Sequence, residues 1–348
     1  MAETACPLRL GFPVKVLGDP EVKSNDSRRW KNNPHLRVSL RYLNGLFDYL
    51  QKHQITMYRM SSDLAPYCTH PDLPQFHTMV QECDGELARM GERARRQDVR
   101  LSFHPSQFIV LNSENPELVR KSTWDLESQA EMLDRMGTGQ EAVLVVHVGG
   151  TYGDRRAGLE RWVRTWEGLP EPVRRRLVLE NDDLRFSASD VIWIHQRTGV
   201  RMVFDYQHLW CFNPEGMSVR DAIEPMLRSW NGSARPKIHF SSPRTEMREA
   251  KRKNRKTGKQ EVRPVAPIWT GHADFINPFE FCTFMRTCAD LEFDVMLEAK
   301  SKDLALIRLR RDLVRYAPDV AQRFGLRADD SARLETEEKE LMDSEKAA

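Results

Sequence analysis

The chain has 348 residues, of which 40% are hydrophobic and 30% are charged, and its formal net charge is +2. This length allows one large barrel-type domain or two ordinary domains, and the composition is ordinary for a soluble globular protein. Apolar runs such as AVLVV at residues 142–146 are far too short to span a bilayer. We therefore expect a cytoplasmic protein with no membrane segment.

The cysteines exclude two further classes. There are six, at positions 6, 68, 83, 211, 282 and 288, and no two of them form a CxxC pair. We expect reduced thiols in the core or on the surface, with neither a disulfide framework nor a zinc knuckle.

Charge is distributed unevenly along the chain. Residues 246–264 contain eight basic and three acidic residues, whereas residues 327–346 contain eight acidic and four basic ones. A charge run of this kind is often a solvated, mobile insertion. The basic segment also fits a phosphate-contacting arm, and the two interpretations stay open at the level of charge alone.

Short β-rich runs alternate with helical patterns along the chain. Eight such runs occur, at residues 9–14, 56–62, 99–105, 142–150, 176–182, 201–208, 236–242 and 293–300. Between them, apolar residues recur at spacings of three and four, for example Leu36, Leu40, Leu43, Phe47 and Leu50. Strand–helix alternation predicts a parallel sheet, and eight units close a (β/α)8 TIM barrel.

The predicted organisation is a single barrel domain with flanking segments. We assign residues 1–8 to an N-terminal extension, 9–325 to the barrel, 244–264 to a basic insertion after strand seven, and 326–348 to an acidic tail, helical or frayed.

Polar residues follow the apolar part of most strands. In a barrel of this type, chemistry lies at the C-terminal ends of the strands. Eight side chains fall there or in the adjoining loops: His104, His147, Glu180, Asp205, His208, His239, His272 and Glu298. Strand parity places Lys237 on the same side as His239.

A lone histidine at a strand end is more often structural than a ligand, and a lone carboxylate there is commonly a helix cap, as Asp182 and Asp183 suggest. Eight converging residues are different, because carboxylates packed together without cations would repel one another and be costly to desolvate. Five imidazoles and three carboxylates suit Zn²⁺, Mn²⁺, Co²⁺ or Fe²⁺ better than Mg²⁺ or Ca²⁺. Eight ligands exceed the need of one ion, so we expect two or three metal ions at the C-terminal face.

Several metals at one site favour hydrolysis of a phosphate ester or amide, in which an ion lowers the pKa of a water molecule and steadies the attacking and leaving oxygens. The same fold and metals also serve aldose–ketose isomerisation. Metals alone therefore do not decide between a nuclease and a sugar isomerase or epimerase.

Nine segments together resemble one family. RLGFPV, YRMSSDLAP, LSFHPSQF, LVVHVGG, LVLENDD, FDYQH, KIHFSS, GHADFI and MLEAK, in this order over residues 9–318, resemble the ultraviolet damage endonuclease family, the UvdE-type repair nucleases. The resemblance implies a manganese-dependent barrel nuclease acting on damaged double-stranded DNA, with zinc, cobalt or magnesium as other metals. It implies a nick 5′ of cyclobutane pyrimidine dimers and 6-4 photoproducts, and some members also act at abasic sites.

The resemblance also implies roles for single residues. The family's metal ligands fall on the eight residues already named, and likeness to related abasic endonucleases implies that Glu180 bridges two ions. Lys237 matches a lysine that is carboxylated on its amine. A carbamate beside cations is physically reasonable, because an ammonium there would be repelled. The alternative is that Lys237 points to a DNA phosphate.

DNA contacts are implied as well. The lesion-reading pair of the family falls on Gln107 and Phe108, while Arg59 and Ser61 match a strand-two motif that contacts phosphate. The basic insertion leaves strand seven on the metal side, which favours DNA contacts by Lys251, Arg252, Lys253 and Arg255. We expect a monomer.

Two departures from the family pattern stand out. Phe12, which we also predict to contact DNA, and Phe108 occupy positions where tyrosine is usual, and Gln207 stands where another histidine is common. The ring faces survive the loss of two hydroxyls, so stacking is retained. The departures put the range of lesions in doubt more than the metal site.

Overall fold

A closed barrel of eight parallel strands lies at the centre of the structure, a computed structural model that describes residues 6–254 and 257–347. Ten strands occur in these ranges: β1 (Leu10–Pro13), β2 (Met57–Met60), β3 (Arg100–Phe103), β4 (Leu144–His147), β5 (Leu177–Glu180), β6 (Arg201–Val203), β7 (Lys237–Phe240), β8 (Arg248–Lys253), β9 (Gln260–Val265) and β10 (Asp294–Leu297). The barrel order is β6-β5-β4-β3-β2-β1-β10-β7. A parallel bridge between Asp205 and His239 closes the remaining gap. The predicted (β/α)8 fold is confirmed.

Helices surround the barrel. They are α1 (Leu36–Lys52), α2 (Met79–Glu82), α3 (Asp84–Arg96), α4 (Pro116–Arg135), α5 (Arg155–Gly168), α6 (Glu171–Arg174), α7 (Ala188–Thr198), α8 (Tyr206–Cys211), α9 (Val219–Arg228), α10 (Pro278–Thr287), α11 (Lys302–Tyr316), α12 (Pro318–Arg323) and α13 (Ser331–Ala347). Short 3-10 turns lie at Trp30–Asn32, Pro74–Phe76 and Ala328–Asp330. Within the described ranges, none of these helices combines the length and apolar character needed to cross a membrane.

Strand parity divides the residues between the barrel interior and the helix layer. Along β3, Arg100 and Ser102 point inward, where Arg100 pairs with Asp294 at 2.8 Å and Ser102 accepts a hydrogen bond from Lys237. The alternate residues, Leu101 and Phe103, join the main hydrophobic core between sheet and helices. Both faces are buried, as parallel sheets require. The inward positions of β3 are thus polar, whereas those of β4, β5 and β6 carry Val145, Val178 and Val203, which form a second, smaller hydrophobic cluster inside the barrel.

One glycine is required by this packing. A Cβ at Gly11 would lie 2.7 Å from Cγ of Met57 and 2.8 Å from its carbonyl oxygen. Gly11 faces inward on β1, so Met57 fills the space that its side chain would have taken.

Each barrel strand is shorter than the predicted run that contains it. The sixth strand ends earlier than predicted, because the Asp205 side chain accepts a hydrogen bond from the backbone N–H of His208 at 2.8 Å and starts α8 there.

The basic insertion is an ordered hairpin and not an irregular loop. Strands β8 and β9 pair antiparallel over six residues each, from Arg248 opposite Val265 to Lys253 opposite Gln260. Arg255, one of the residues predicted to contact DNA, lies outside the described residues.

The acidic C-terminal segment is helix α13, and it packs on the barrel wall. Leu334 is fully buried, and Glu338 forms ion pairs with Arg308 and Arg311 of α11. Its acidic residues are therefore partly used in tertiary contacts. The six cysteines are free thiols, as predicted.

Candidate metal centre

All eight predicted ligands converge at the C-terminal mouth of the barrel. Glu180 lies at the centre, with ring nitrogens of His239, His104, His147 and His208 at 2.7, 3.2, 3.6 and 3.9 Å from its carboxylate oxygens. Glu298 is the carboxylate of the second half of the cluster, and its oxygens lie 3.3 Å from Nδ1 of His239 and 3.9 Å from Nδ1 of His272. Asp205 lies 3.7 Å from His208. These contacts join the eight side chains into one cluster.

The strands place this cluster in a buried environment. Glu180, Asp205 and His239 have no exposed surface. Burial by itself would raise the pKa of Glu180, but the surrounding imidazoles, led by His239 and His147, hold it well below its usual range. Glu180 is thus an anion, which suits a central ligand.

Asp205 and His208 behave differently. Burial raises the pKa of Asp205 to about 8. Burial alone would lower the pKa of His208, yet the carboxylates of Asp205, Glu180 and Glu298 raise it to about 9. The pair therefore holds at least one proton at neutral pH that a cation would displace.

Three buried atoms of the cluster fit the role of cation ligands. Among the residues that the structure describes, His147 Nδ1, Asp205 Oδ2 and His239 Nε2 are buried and have no hydrogen-bond partner. Such orphaned atoms are rare in proteins and call for a ligand or a bound ion. Three overlapping groups have ligand atoms within 4.8 Å of one another: His104, Glu180 and His239; Glu180, Asp205 and His208; and Asp205, His239 and Glu298. The donor set fits divalent transition metals.

Backbone carbonyls orient several of the rings. The Nδ1 of His104, His208 and His272 lies 3.1, 2.9 and 2.8 Å from the carbonyl oxygens of Pro105, Asn181 and Glu298, respectively. Each ring then directs Nε2 away from the backbone contact. This arrangement is typical of metal-binding histidines, whose second nitrogen is fixed by a hydrogen bond.

Two supporting amides were not predicted from the sequence. Asn181 pairs with the backbone of Asp205, donating to its carbonyl at 3.0 Å and accepting from its N–H at 2.9 Å. Gln207 accepts from Ser241 at 2.6 Å and donates to the carbonyls of Trp269 and Gly271. The sequence signal available for Asn181 and Gln207 was their position between or beside the predicted ligands. The partners, which lie 24 to 64 residues away, were not visible in the sequence.

Lys237 lies inside the barrel below the cluster. It has no exposed surface, and its Nζ lies 3.1 Å from Ser102 Oγ. Burial lowers its pKa well below the ordinary value, and the cations Arg100 and Arg59 add to that effect. The alternative that this amine reaches a DNA phosphate is wrong for this structure, because the amine is enclosed.

The side chains of Arg59 and Ser61 also point into the barrel, near its C-terminal mouth. Arg59 pairs with Glu298, one of the predicted ligands, and holds the pKa of that carboxyl low against the effect of burial. Ser61 is buried and caps a local turn at Asp63. A DNA phosphate contact by Arg59 would thus compete with its ion pair to Glu298.

The pair predicted to read the lesion, Gln107 and Phe108, lies at the rim. Gln107 is exposed, and Phe108 is 74% exposed in a turn closed by Ile109 N–H and the Ser106 carbonyl. Gln107 lines a cavity of about 620 Å³ whose other walls include His104, His147, His208 and His272. Tyr152 and Leu184, which the sequence did not single out, line the same cavity and are 42% and 65% exposed.

Phe12 does not belong to this rim. Its ring has no exposed surface and packs edge-on against Tyr58 at 5.5 Å. The prediction of a DNA contact is therefore wrong for Phe12. The physical reason is parity, since Leu10 and Phe12 point to the helix layer and Gly11 points into the barrel.

Asp182 is not the helix cap that the sequence suggested, because Ser187 is the N-cap of α7; Asp182 caps the turn that precedes this helix. Its carboxylate accepts hydrogen bonds from the backbone N–H groups of Leu184 and Phe186, at 2.9 and 3.0 Å. These bonds hold the exposed side chain of Leu184 in a fixed turn beside the cavity. Asp182 thus shapes the wall next to the metal centre.

Known proteins resemble this chain in sequence and in fold. The sequence model of the UV-endonuclease UvdE family matches residues 24–324. A UV DNA damage endonuclease of Bacillus velezensis is 32% identical over 76% of this chain and 77% of its own length, and one of Bacillus cereus (strain G9842) is 28% identical over 86% and 89%. The crystal structure of SacUVDE superposes with a TM-score of 0.71 at 28% identity, covering 88% of this chain and 98% of that one.

A more distant likeness concerns the fold alone. A putative sugar phosphate isomerase/epimerase from Anabaena variabilis has a TM-score of 0.50 at 11% identity. Fold does not decide function. The sequence match does decide the family: this chain belongs to the UV-endonuclease UvdE family, and the protein is an endonuclease.

Proposed function

We propose that this protein is a metal-dependent DNA repair enzyme that nicks duplex DNA 5′ to ultraviolet photoproducts, both cyclobutane pyrimidine dimers and 6-4 photoproducts, and also at abasic sites. The observation that carries the proposal is the buried carboxylate of Glu180 among four imidazoles, at the mouth of a barrel whose relatives are named UV DNA damage endonucleases. A cluster of this kind has no use in a protein that merely binds damage.

The eight clustered side chains would hold two or three divalent ions, with manganese as the favoured metal. Such ions, when bound, lower the pKa of a water molecule and neutralise charge that develops on a phosphate. Glu180 would supply a ligand to more than one ion, since a carboxylate offers two oxygens and its oxygens face different imidazoles.

Other residues position the substrate. Gln107 lines the cavity that leads to the cluster, and its neighbour Phe108 offers an exposed ring on which an unstacked base would lie. The cavity is large enough to receive part of a distorted dinucleotide. The lesion would thus be read at the rim while the phosphodiester lies over the cluster.

Lys237 is proposed to be carboxylated. A buried amine with a lowered pKa is neutral and nucleophilic, and CO₂ would convert it to a carbamate with loss of one proton. The carbamate oxygens would extend the ligand set from inside the barrel. Labelled bicarbonate should give a carbamate ¹³C resonance that is absent from Lys237→Met; an unmodified amine in the metal-loaded protein would overturn this role.

Cleavage of defined duplexes tests the proposed function. The Mn²⁺-loaded protein is incubated with end-labelled duplexes containing a thymine dimer, a 6-4 photoproduct, an abasic site or no damage. We expect a nick 5′ to the lesion and no cut in the undamaged duplex. No cleavage of any duplex would sink the proposal, and turnover of sugars by the same preparation would favour an isomerase or epimerase.

A further inference from the structure

The β8–β9 hairpin projects from the barrel with solvent on both sides. Lys251, Lys253, Val262 and Arg263 are exposed, and Val262 keeps 54% of its surface accessible. A two-stranded hairpin without a covering layer is at best marginally stable in water. A ribbon of this kind would be stabilised by a surface that covers it while the protein acts on its substrate.

The register assigns the charged side chains to two faces. Residues directly opposite each other in an antiparallel pair share a face, and successive residues alternate. One face, here called the lysine face, consists of Glu249, Lys251, Lys253, Gln260, Val262 and Pro264. The other, here called the arginine face, includes Ala250, Arg252, Glu261 and Arg263.

The two faces differ in how their cations are compensated. On the arginine face, Glu261 lies opposite Arg252 and pairs with Arg263 at 2.7 Å. On the lysine face, Lys251 and Lys253 lie opposite Val262 and Gln260, which carry no charge, and the acidic residue of this face, Glu249, lies opposite Pro264. Within the described part of the chain, neither lysine takes part in an ion pair shorter than 4 Å. The lysine face therefore offers two cations, about 7 Å apart along the strand, to an outside anion.

The hairpin is fastened at its base to the metal centre. Arg244 N–H donates to the Gly271 carbonyl at 2.7 Å, and Pro243 pairs with His272 across the two legs. Gln207 holds the second leg through the carbonyls of Trp269 and Gly271. Because His272 belongs to the cluster, the ribbon starts on the side of the molecule where the phosphodiester would lie.

Resting on the proposed endonuclease function, we propose that the lysine face binds backbone phosphates of the duplex that flanks the lesion. Lys251 and Lys253 supply the charge, Val262 and Pro264 supply contact area between them, and the arginine face stays in solvent. Six residues per strand give a reach of about 20 Å at about 3.3 Å per residue. The hairpin would thus lengthen the contact between protein and duplex by roughly half a helical turn beyond the metal centre.

Matched double substitutions on the two faces test this proposal. Lys251→Gln/Lys253→Gln and Arg252→Gln/Arg263→Gln each remove two positive charges from exposed positions. Binding of the Mn²⁺-loaded full-length protein to an undamaged duplex is measured by fluorescence anisotropy across a salt titration, and kcat is measured on a damaged duplex at saturation. A second, short duplex with trimmed flanks is compared with the long one.

We expect the lysine double variant to lower the slope of log affinity against log salt by about 2, because each lost phosphate contact removes about 0.9. Its affinity for the long duplex should fall about tenfold near physiological salt, with little loss on the short duplex. The arginine double variant should lose less than half as much. Equal losses for the two variants, or an unchanged slope for the lysine variant, would overturn the proposal. Failure of the wild type to cut any lesion would instead sink the proposed function, since the slopes are measured without cleavage.

Discussion

The candidate metal centre and the rim that surrounds it are built in opposite ways. Glu180 and His239 have no exposed surface, and each is held by a strand and by contacts to several distant residues. Phe108 is 74% exposed and rests on a turn formed by its immediate neighbours. The centre is determined by packing, whereas the rim is determined by local backbone geometry.

Substitutions in these two regions should therefore have different consequences. A substitution in the centre changes charge in a low-dielectric site, so it alters metal affinity, catalysis and stability together. A substitution at the rim changes contacts that exist only with DNA, so stability should be unaffected. The following predictions, from the largest expected effect to the smallest, test whether the separation holds.

The largest effect is expected for Glu180→Gln. Removing this charge leaves four imidazoles around a neutral amide, so metal affinity should fall and cleavage should drop on the order of 10³-fold or more. Metal content and single-turnover cleavage are the measurements. Glu117→Gln, on an exposed helix position, is the matched control and should behave as wild type. Retention of full activity by Glu180→Gln would contradict its central role.

Phe12→Ala tests whether Phe12 belongs to the buried region. Truncating a fully buried phenylalanine typically costs about 3–5 kcal/mol of unfolding free energy, whereas an exposed DNA contact would cost almost none. Chemical denaturation measures the loss, and Phe12→Leu should retain most of the stability. Unchanged stability combined with weaker DNA binding would restore the original prediction of a DNA contact.

Metal affinity should rise steeply with pH between 7 and 9. The pKa of Asp205 is raised to about 8 and that of His208 to about 9, so the pair must be deprotonated before both side chains ligate. Each displaced proton adds about tenfold in affinity per pH unit. Titration calorimetry in buffers of different ionisation enthalpy counts the released protons.

The same pKa values fix the sign of the stability change in the metal-free protein. A folded-state pKa above the unfolded value means that Asp205 and His208 stabilise the fold at low pH, and this contribution is lost as pH rises through about 8 and 9. The rise in Tm on adding Mn²⁺ should therefore be larger at pH 9 than at pH 6. A pH-independent affinity and Tm shift would contradict these protonation states.

The smallest effect is expected for Phe108→Ala. Loss of one stacking ring costs about 1–3 kcal/mol of nucleic-acid binding, so affinity for damaged duplex should fall about tenfold without a change in Tm. Phe108→Tyr keeps the ring and should bind as wild type. A lower Tm for Phe108→Ala would show that this ring supports the fold, and the contrast between rim and centre would fail.

Local signals in the sequence predicted much of the molecule. The alternation of strands and helices predicted eight units and the barrel, because the periodicity of apolar residues is a short-range property of the chain. Polar residues at the ends of apolar strands predicted the eight side chains that converge at the mouth, since parallel strands of a barrel end on one face. Strand parity also carried the information that Phe12 faces outward, although the family position suggested a DNA contact.

Tertiary structure decided which atoms meet. The contact of Glu180 with His239 joins residues 59 apart, and the contact of Arg59 with Glu298 joins residues 239 apart; periodicity carries no information on such separations. The pairing of the basic segment as a hairpin and the docking of α13 on α11 likewise depend on register and burial, which are set by competition among many distant contacts. The sequence by itself determined the fold class and the chemistry of the ligands. Only the folded chain determined the central role of Glu180, the enclosure of Lys237 and the two faces of the ribbon, because distance, burial and electrostatic environment exist only once the strands are assembled.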